Sequence, residues 1–293
     1  MNTYSKQLQR QTMHPLQTLI RMLGVITAVS SVVFTACSMP AFSHEGEEHQ
    51  KSPSSDRQSS GTHPRSPDGK GHSMPMGSDE RFSQIESARS RSAERFLNQG
   101  LDDLHKKDYE KALQSFTKAL EFSPSHADAH TYRGNLYYSL GRYQEAIVDY
   151  SRALESNPTF SYLYNRRGAS REALKDYQGA LEDYNQSIKL YPEQGATYRN
   201  LGSAHSKLND DSAALKNLNQ AVQLNPTLAD AYQMRGEIYV KQENLQAAIA
   251  DFQQASKLFA DQGDTQNFQK VSRLVQELQK QPASQTTPAA IAP

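Results

Sequence analysis

The residues best suited to bind a metal gather near the start of the chain. His44, His49, His63 and His72 stand among Glu45, Glu47 and Glu48, and the string Gly71-His72-Ser73-Met74-Pro75-Met76 sets an imidazole beside two thioethers. Imidazole and thioether suit copper, whose reduced form prefers soft ligands. A chain cut before His44 would add an α-amine to that set, so the candidate metal ligands are His44, His49, His72, Met74 and Met76. Against this stands the reading that composition favours, a solubilising Ser/Pro/Gly/His-rich linker that cannot bury a core. Other chemistry is hard to assemble. His105, His126, His130 and His205 are scattered, and the single cysteine, Cys37, lies far upstream of them. No glycine-rich phosphate loop, zinc-protease pair or nucleophile elbow occurs. The expectation is a protein that is not an enzyme and needs no cofactor.

Charge narrows the partners. Thirty-two basic residues balance 32 acidic ones, which argues against nucleic acid, where affinity rests on neutralising phosphates. One cysteine excludes an intramolecular disulfide framework. Residues 1–43 resemble an export signal: Lys6, Arg10 and Arg21 precede an apolar run from Met22 to Ala36 that is short for a membrane span. Ala41 and Ser43 offer the small residues that cleavage before His44 requires. The alternatives are acylation of Cys37, preceded by Phe34-Thr35-Ala36, and an uncleaved anchor. Each places the rest of the chain in the periplasm or another extracytoplasmic compartment. Contact with a membrane would come through the anchor alone.

Most of the remaining chain is one unit repeated. Five 34-residue copies follow one another: Ala93–His126, Ala127–Phe160, Ser161–Gln194, Gly195–Leu228 and Ala229–Gln262. Position 8 is Gly100, Gly134, Gly168, Gly202 and Gly236; position 20 is Ala112, Ala146, Ala180, Ala214 and Ala248. Glycine inside a helix costs about 1 kcal/mol against alanine, so each needs a packing reason. Facing the small residue at position 20, it lets two helices cross closely. Large groups fill the surrounding space: Phe96, His130, Tyr164, Tyr198 and Tyr232 at position 4, and Phe116, Tyr150, Tyr184, Leu218 and Phe252 at position 24. Asp108, Asp176, Asp210 and Asn244 at position 16 are suited to cap the second helix. Pro124, Pro158, Pro192 and Pro226 at position 32 end it, with Ala260 in the last copy.

This pattern resembles the tetratricopeptide repeat (TPR) family. The resemblance implies an all-α, right-handed superhelical solenoid of five helix-turn-helix repeats, with a concave groove presented to a partner protein or peptide. His130 at position 4, and Asp103 and Arg171 at the apolar position 11, depart from the pattern. In this family the first helix of each repeat lines the groove, which here implies Tyr132, Asn135, Tyr138, Tyr162, Asn165, Arg166, Arg199, Asn200, Ser203 and Lys207. Asparagine serves both the donor and the acceptor of a peptide backbone. Tyrosine adds rigid area, and arginine a fork for carboxylates.

Comparing copies also separates structural arginines from binding ones. Position 7 is Arg133, Arg167 and Arg235 in copies two, three and five, where position 23 is Asp149, Asp183 and Asp251. Copies lacking the arginine (Gln99, Leu201) lack the aspartate (Ser115, Asn217). An ion pair inside each of those three hairpins is expected.

The organisation expected is therefore a signal over 1–43, a linker over 44–80, and a leading helical segment over 81–92. Repeats follow over 93–262, then a C-terminal capping helix over 263–281 carrying the stripe Phe268, Val271, Leu274, Val275 and Leu278. A disordered tail covers 282–293. The functional expectation is an exported adaptor for protein–protein interaction. The alternative is a periplasmic copper-handling protein docked by its repeats.

Overall fold

Where positions 16 and 32 punctuate the sequence, the chain turns. The structure, a computed structural model, describes residues 78–280; the expected signal, Cys37, the metal-ligand candidates and the 282–293 tail lie outside them. Among the described residues there are eleven helices and no strand. They are α1 (Ser78–His105), α2 (Tyr109–Phe122), α3 (Ala127–Ser139), α4 (Tyr143–Ser156), α5 (Ser161–Ala173), α6 (Tyr177–Leu190), α7 (Gly195–Lys207), α8 (Asp211–Leu224), α9 (Ala229–Lys241), α10 (Leu245–Asp261) and α11 (Thr265–Gln279). The first ten pair into five antiparallel hairpins, each stacked on the next, and α11 packs on α10 through buried Val271, Leu274 and Leu278.

The caps act where the side chains allow. Asp108, Asp176, Asp210 and Asn244 accept from the backbone N–H three residues on, at 3.0–3.3 Å. Copy two has Arg142 there and no side-chain cap; the guanidinium instead bonds Glu145 at 2.9 Å and covers the Tyr137 ring at 4.4 Å. The residue just before each cap is left-handed: Lys107, Lys175, Asn209 and Glu243 with φ near 60°, and Gly141 at 74°. Proline stops four of the second helices after 14 residues; with Ala260 in its place, α10 continues to 17.

The repeated glycine meets position 24 even more closely than position 20, whose carbonyl lies 3.2 and 3.3 Å from a Cβ built on Gly168 and Gly202. A Cβ built on Gly100, Gly168, Gly202 or Gly236 would stand 2.5–2.8 Å from the position-24 side chain (Phe116, Tyr184, Leu218 or Phe252), and at Gly134 it would stand 3.0 Å from Tyr150. The large group at position 24 fills the space a Cβ would need. The alanines at position 20 are fully buried alongside.

The departures from the pattern are polar substitutions that bond to one another. Asp103 is buried and accepts from Ser115 Oγ and Gln99 Nε2 at 3.2 and 3.1 Å. Copy one thus moves the carboxylate from position 23 to position 11. Arg171 at the same position donates to Asp183 at 2.8 Å and to the Gly179 carbonyl at 3.1 Å. Buried His130 lies between Asp149 (2.8 Å) and the Pro124 carbonyl (2.9 Å), joining the loop that ends hairpin one to the core of hairpin two.

The leading segment extends the first helix of the repeats. It runs continuously into the first repeat as α1, and residues 79–91 are exposed along its whole first half, Phe82 and Ile85 included.

Candidate peptide-binding groove

Successive first helices touch one another, α3 with α5, α5 with α7 and α7 with α9, so their side chains meet on one shared face. Nine of the ten groove candidates there are half-buried, and Lys207 at the end of α7 is exposed. Asn135 is the hub of the first contact. Its Oδ1 accepts from Tyr150 Oη at 2.8 Å and from Tyr162 Oη at 3.1 Å. Burial pushes the Tyr150 phenol far above its ordinary pKa, so it stays a donor and fixes the Asn135 amide with its oxygen inward. One step along, Asn200 Nδ2 donates to Asn165 Oδ1 at 2.8 Å. These bonds leave the amide nitrogens of Asn135 and Asn165 without a protein partner, yet accessible.

Arg166 sits over two rings, Tyr162 at 5.0 Å and Tyr138 at 5.9 Å. Burial opposes its charge, but the neighbouring phenols of Tyr162, Tyr150 and Tyr138 outweigh that and raise its pKa. Tyr138, raised chiefly by burial, lies in the field of Arg166, Arg199 and Glu172 together, so residues from three repeats converge there. Arg199 approaches Asp230 of α9 with Nε 3.9 Å from Oδ2. Tyr132 turns aside to stack on Phe116 at 6.0 Å. Ser203 Oγ donates to Glu172 Oε1 at 2.6 Å, and Tyr184 Oη to Glu172 Oε2 at 2.8 Å.

Glu172 and Asp230 were missed from the sequence. Both lie on first helices, Glu172 on α5 and Asp230 on α9, the elements that line the groove in this family, and that placement is the signal that finds them. Arg133, Arg167 and Arg235 are withdrawn from the groove by the aspartates expected for them, at 2.8, 2.7 and 2.7 Å. Among the described residues no three His, Cys, Asp or Glu could hold a metal, and no helix is long and apolar enough to cross a membrane.

Stacked hairpins with a lined inner face define a helical-repeat solenoid of the kind that serves as a protein–protein interaction scaffold. Tetratricopeptide repeat profiles match residues 100–141, 127–160, 160–227 and 229–262. The chain belongs to the tetratricopeptide repeat family. Solved structures share the fold. MamA from Desulfovibrio magneticus RS-1 is 22% identical with a TM-score of 0.55, over 58% of this chain and 97% of its own. YrrB, described as a TPR protein with an unusual peptide-binding site, is 22% identical at 0.52, over 66% and 97%. PilW, described as a type IV pilus biogenesis factor, is 17% identical at 0.51, over 64% and 96%. None of the curated proteins compared matches the sequence.

Proposed function

We propose that this protein is an exported, non-catalytic scaffold that holds an extended segment of a partner protein against α3, α5 and α7. One observation carries the reading: the amides of Asn135 and Asn165 are each pinned through oxygen, leaving two ordered NH2 groups as donors on adjacent repeats. An extended peptide presents unpaired carbonyls that such donors suit, and pinned donors lose little freedom on binding. The Tyr138, Arg166 and Tyr162 stack supplies rigid amphipathic area beside them. The peptide-binding site described for YrrB, which shares the fold, is consistent with this use.

Export rests on the basic, apolar and small-residue succession in residues 1–43, and cell fractionation tests it: recovery with the cytoplasm would remove that part of the reading. For the groove, random peptides displayed on phage are selected on the purified full chain, and the selected peptides are titrated against Asn165→Ala. Loss of binding at an unchanged melting temperature is expected. Full-strength binding by the variant would move the contact away from this face.

A further inference from the structure

Within that groove we propose a receptor for a side-chain carboxylate, built on Arg199, with Asp230 as the group that an incoming acidic residue displaces. The proposal rests on the groove reading. The arginines at position 7 are committed: Arg133, Arg167 and Arg235 each make a two-bond contact with an aspartate and a third bond through Nη1. Arg166 is spread over two tyrosine rings. Arg199 is different. Its Nε is, among the described residues, the buried side-chain polar atom left without a hydrogen-bond partner. The Asp230 carboxylate stands 3.9 Å away, close enough to offset charge and too far to bond.

A buried, unpaired guanidinium nitrogen is costly, and it stands out in a groove whose Tyr150, Tyr162, Tyr184, Asn200 and Ser203 all have partners. The planar guanidinium matches a carboxylate in two-point geometry. Asp230 is the natural placeholder. Its side chain is 49% exposed and lies on the next first helix, so it can swing to solvent without unpacking anything.

Charge selects the class of ligand. Arg166 and Arg199 are balanced by Glu172 and Asp230, and Glu172 is held in place by Tyr184 and Ser203. With Asp230 displaced, the Arg199 charge loses its counter-charge, beside exposed Lys207 farther along the same helix, and an incoming carboxylate neutralises it. A phosphate carries about two negative charges and would face Glu172 as well. Arg199 lies on α7, with α5 and α9 on either side, so a ligand chain passes over it in both directions. That geometry fits an aspartate or glutamate within a peptide better than a chain terminus.

The test uses peptides selected on the full chain, each remade with its acidic residue changed to the amide. We expect acidic residues to be enriched, the amide versions to bind about tenfold more weakly, and Arg199→Gln to erase that difference. Asp230→Asn, which should fold as well as wild type, should bind the acidic peptides about threefold more tightly. Selected peptides without acidic enrichment would overturn the carboxylate receptor and leave the groove standing. So would peptides indifferent to both variants, or bound through their terminal carboxylate or a phosphate. Failure to select any peptide, or full binding by Asn165→Ala, would overturn the groove reading itself.

Discussion

The Arg133 guanidinium reaches both oxygens of Asp149 at 2.8 Å through Nε and Nη2, while its Nη1 donates to Thr117 in the preceding hairpin at 3.2 Å. The arrangement recurs. Arg167 joins Asp183 to Ser151, and Arg235 joins Asp251 to Asn219, always 16 residues forward for the carboxylate and 16 back for the neutral group. One side chain therefore closes its own hairpin and fastens it to the one before. Asp149 is 1% exposed, so its loss strands the half-buried Arg133 guanidinium and the His130 bond. Asp149→Asn is expected to destabilise the stack by about 3 kcal/mol, and Thr117→Val by about 1 kcal/mol. Urea denaturation midpoints equal to wild type for Asp149→Asn would contradict the role assigned to the pair.

The same carboxylate predicts a pH dependence. Burial works to raise the pKa of Asp149, but hydrogen bonds from Arg133 and His130 prevail and hold it below the ordinary carboxylate value. A depressed folded-state pKa contributes stability that is present above the unfolded value, about 4, and is lost as pH falls through the folded value. The gap in melting temperature between wild type and Asp149→Asn should be full at pH 6 and shrink below about pH 4. A gap that held constant into acid would contradict the shift.

Ala146 is fully buried where α3 and α4 cross, beside the Tyr150 ring that covers Gly134. Ala146→Leu should force those helices apart and cost about 1–3 kcal/mol. Matching melting temperatures for variant and wild type would show that the crossing has room.

Lys175 takes a left-handed conformation (φ 64°) at the turn between α5 and α6, as Gly141 does between α3 and α4. Such a backbone strains a side chain and suits glycine. Lys175→Gly is expected to stabilise by about 0.5–1 kcal/mol despite the entropy that glycine adds to the unfolded chain. A lower midpoint in chemical denaturation would count against strain at that turn.

What the sequence disclosed was whatever repeats. Helix ends at Pro124, Pro158, Pro192 and Pro226, caps at Asp108, Asp176, Asp210 and Asn244, and the Arg–Asp pairing were legible because local rules act identically in each copy and the copies check one another. Left-handed Lys107, Lys175, Asn209 and Glu243 were hidden, since nothing in a lysine or glutamate announces a positive φ. Asp103 read as a flaw in an apolar position because its partners, Ser115 and Gln99, come together only when the hairpin closes. The groove was half legible. Placement on the first helices gave the candidates, but which amide oxygen is occupied, which arginine is stacked and which is unpaired depend on contacts between repeats that no single copy encodes. Arg166 shows the difference: a free guanidinium in sequence, it is partly a packing element between Tyr138 and Tyr162.

The central claim is that the Asn135 and Asn165 amides meet the ligand, and side-chain amide resonances read this directly. With a selected peptide titrated into 15N-labelled full chain, the Nδ2 resonances of Asn135 and Asn165 should shift along one saturation curve. The exposed Asn157 at the end of α4 should stay still. Saturable binding that leaves both groove amides unmoved would contradict the account.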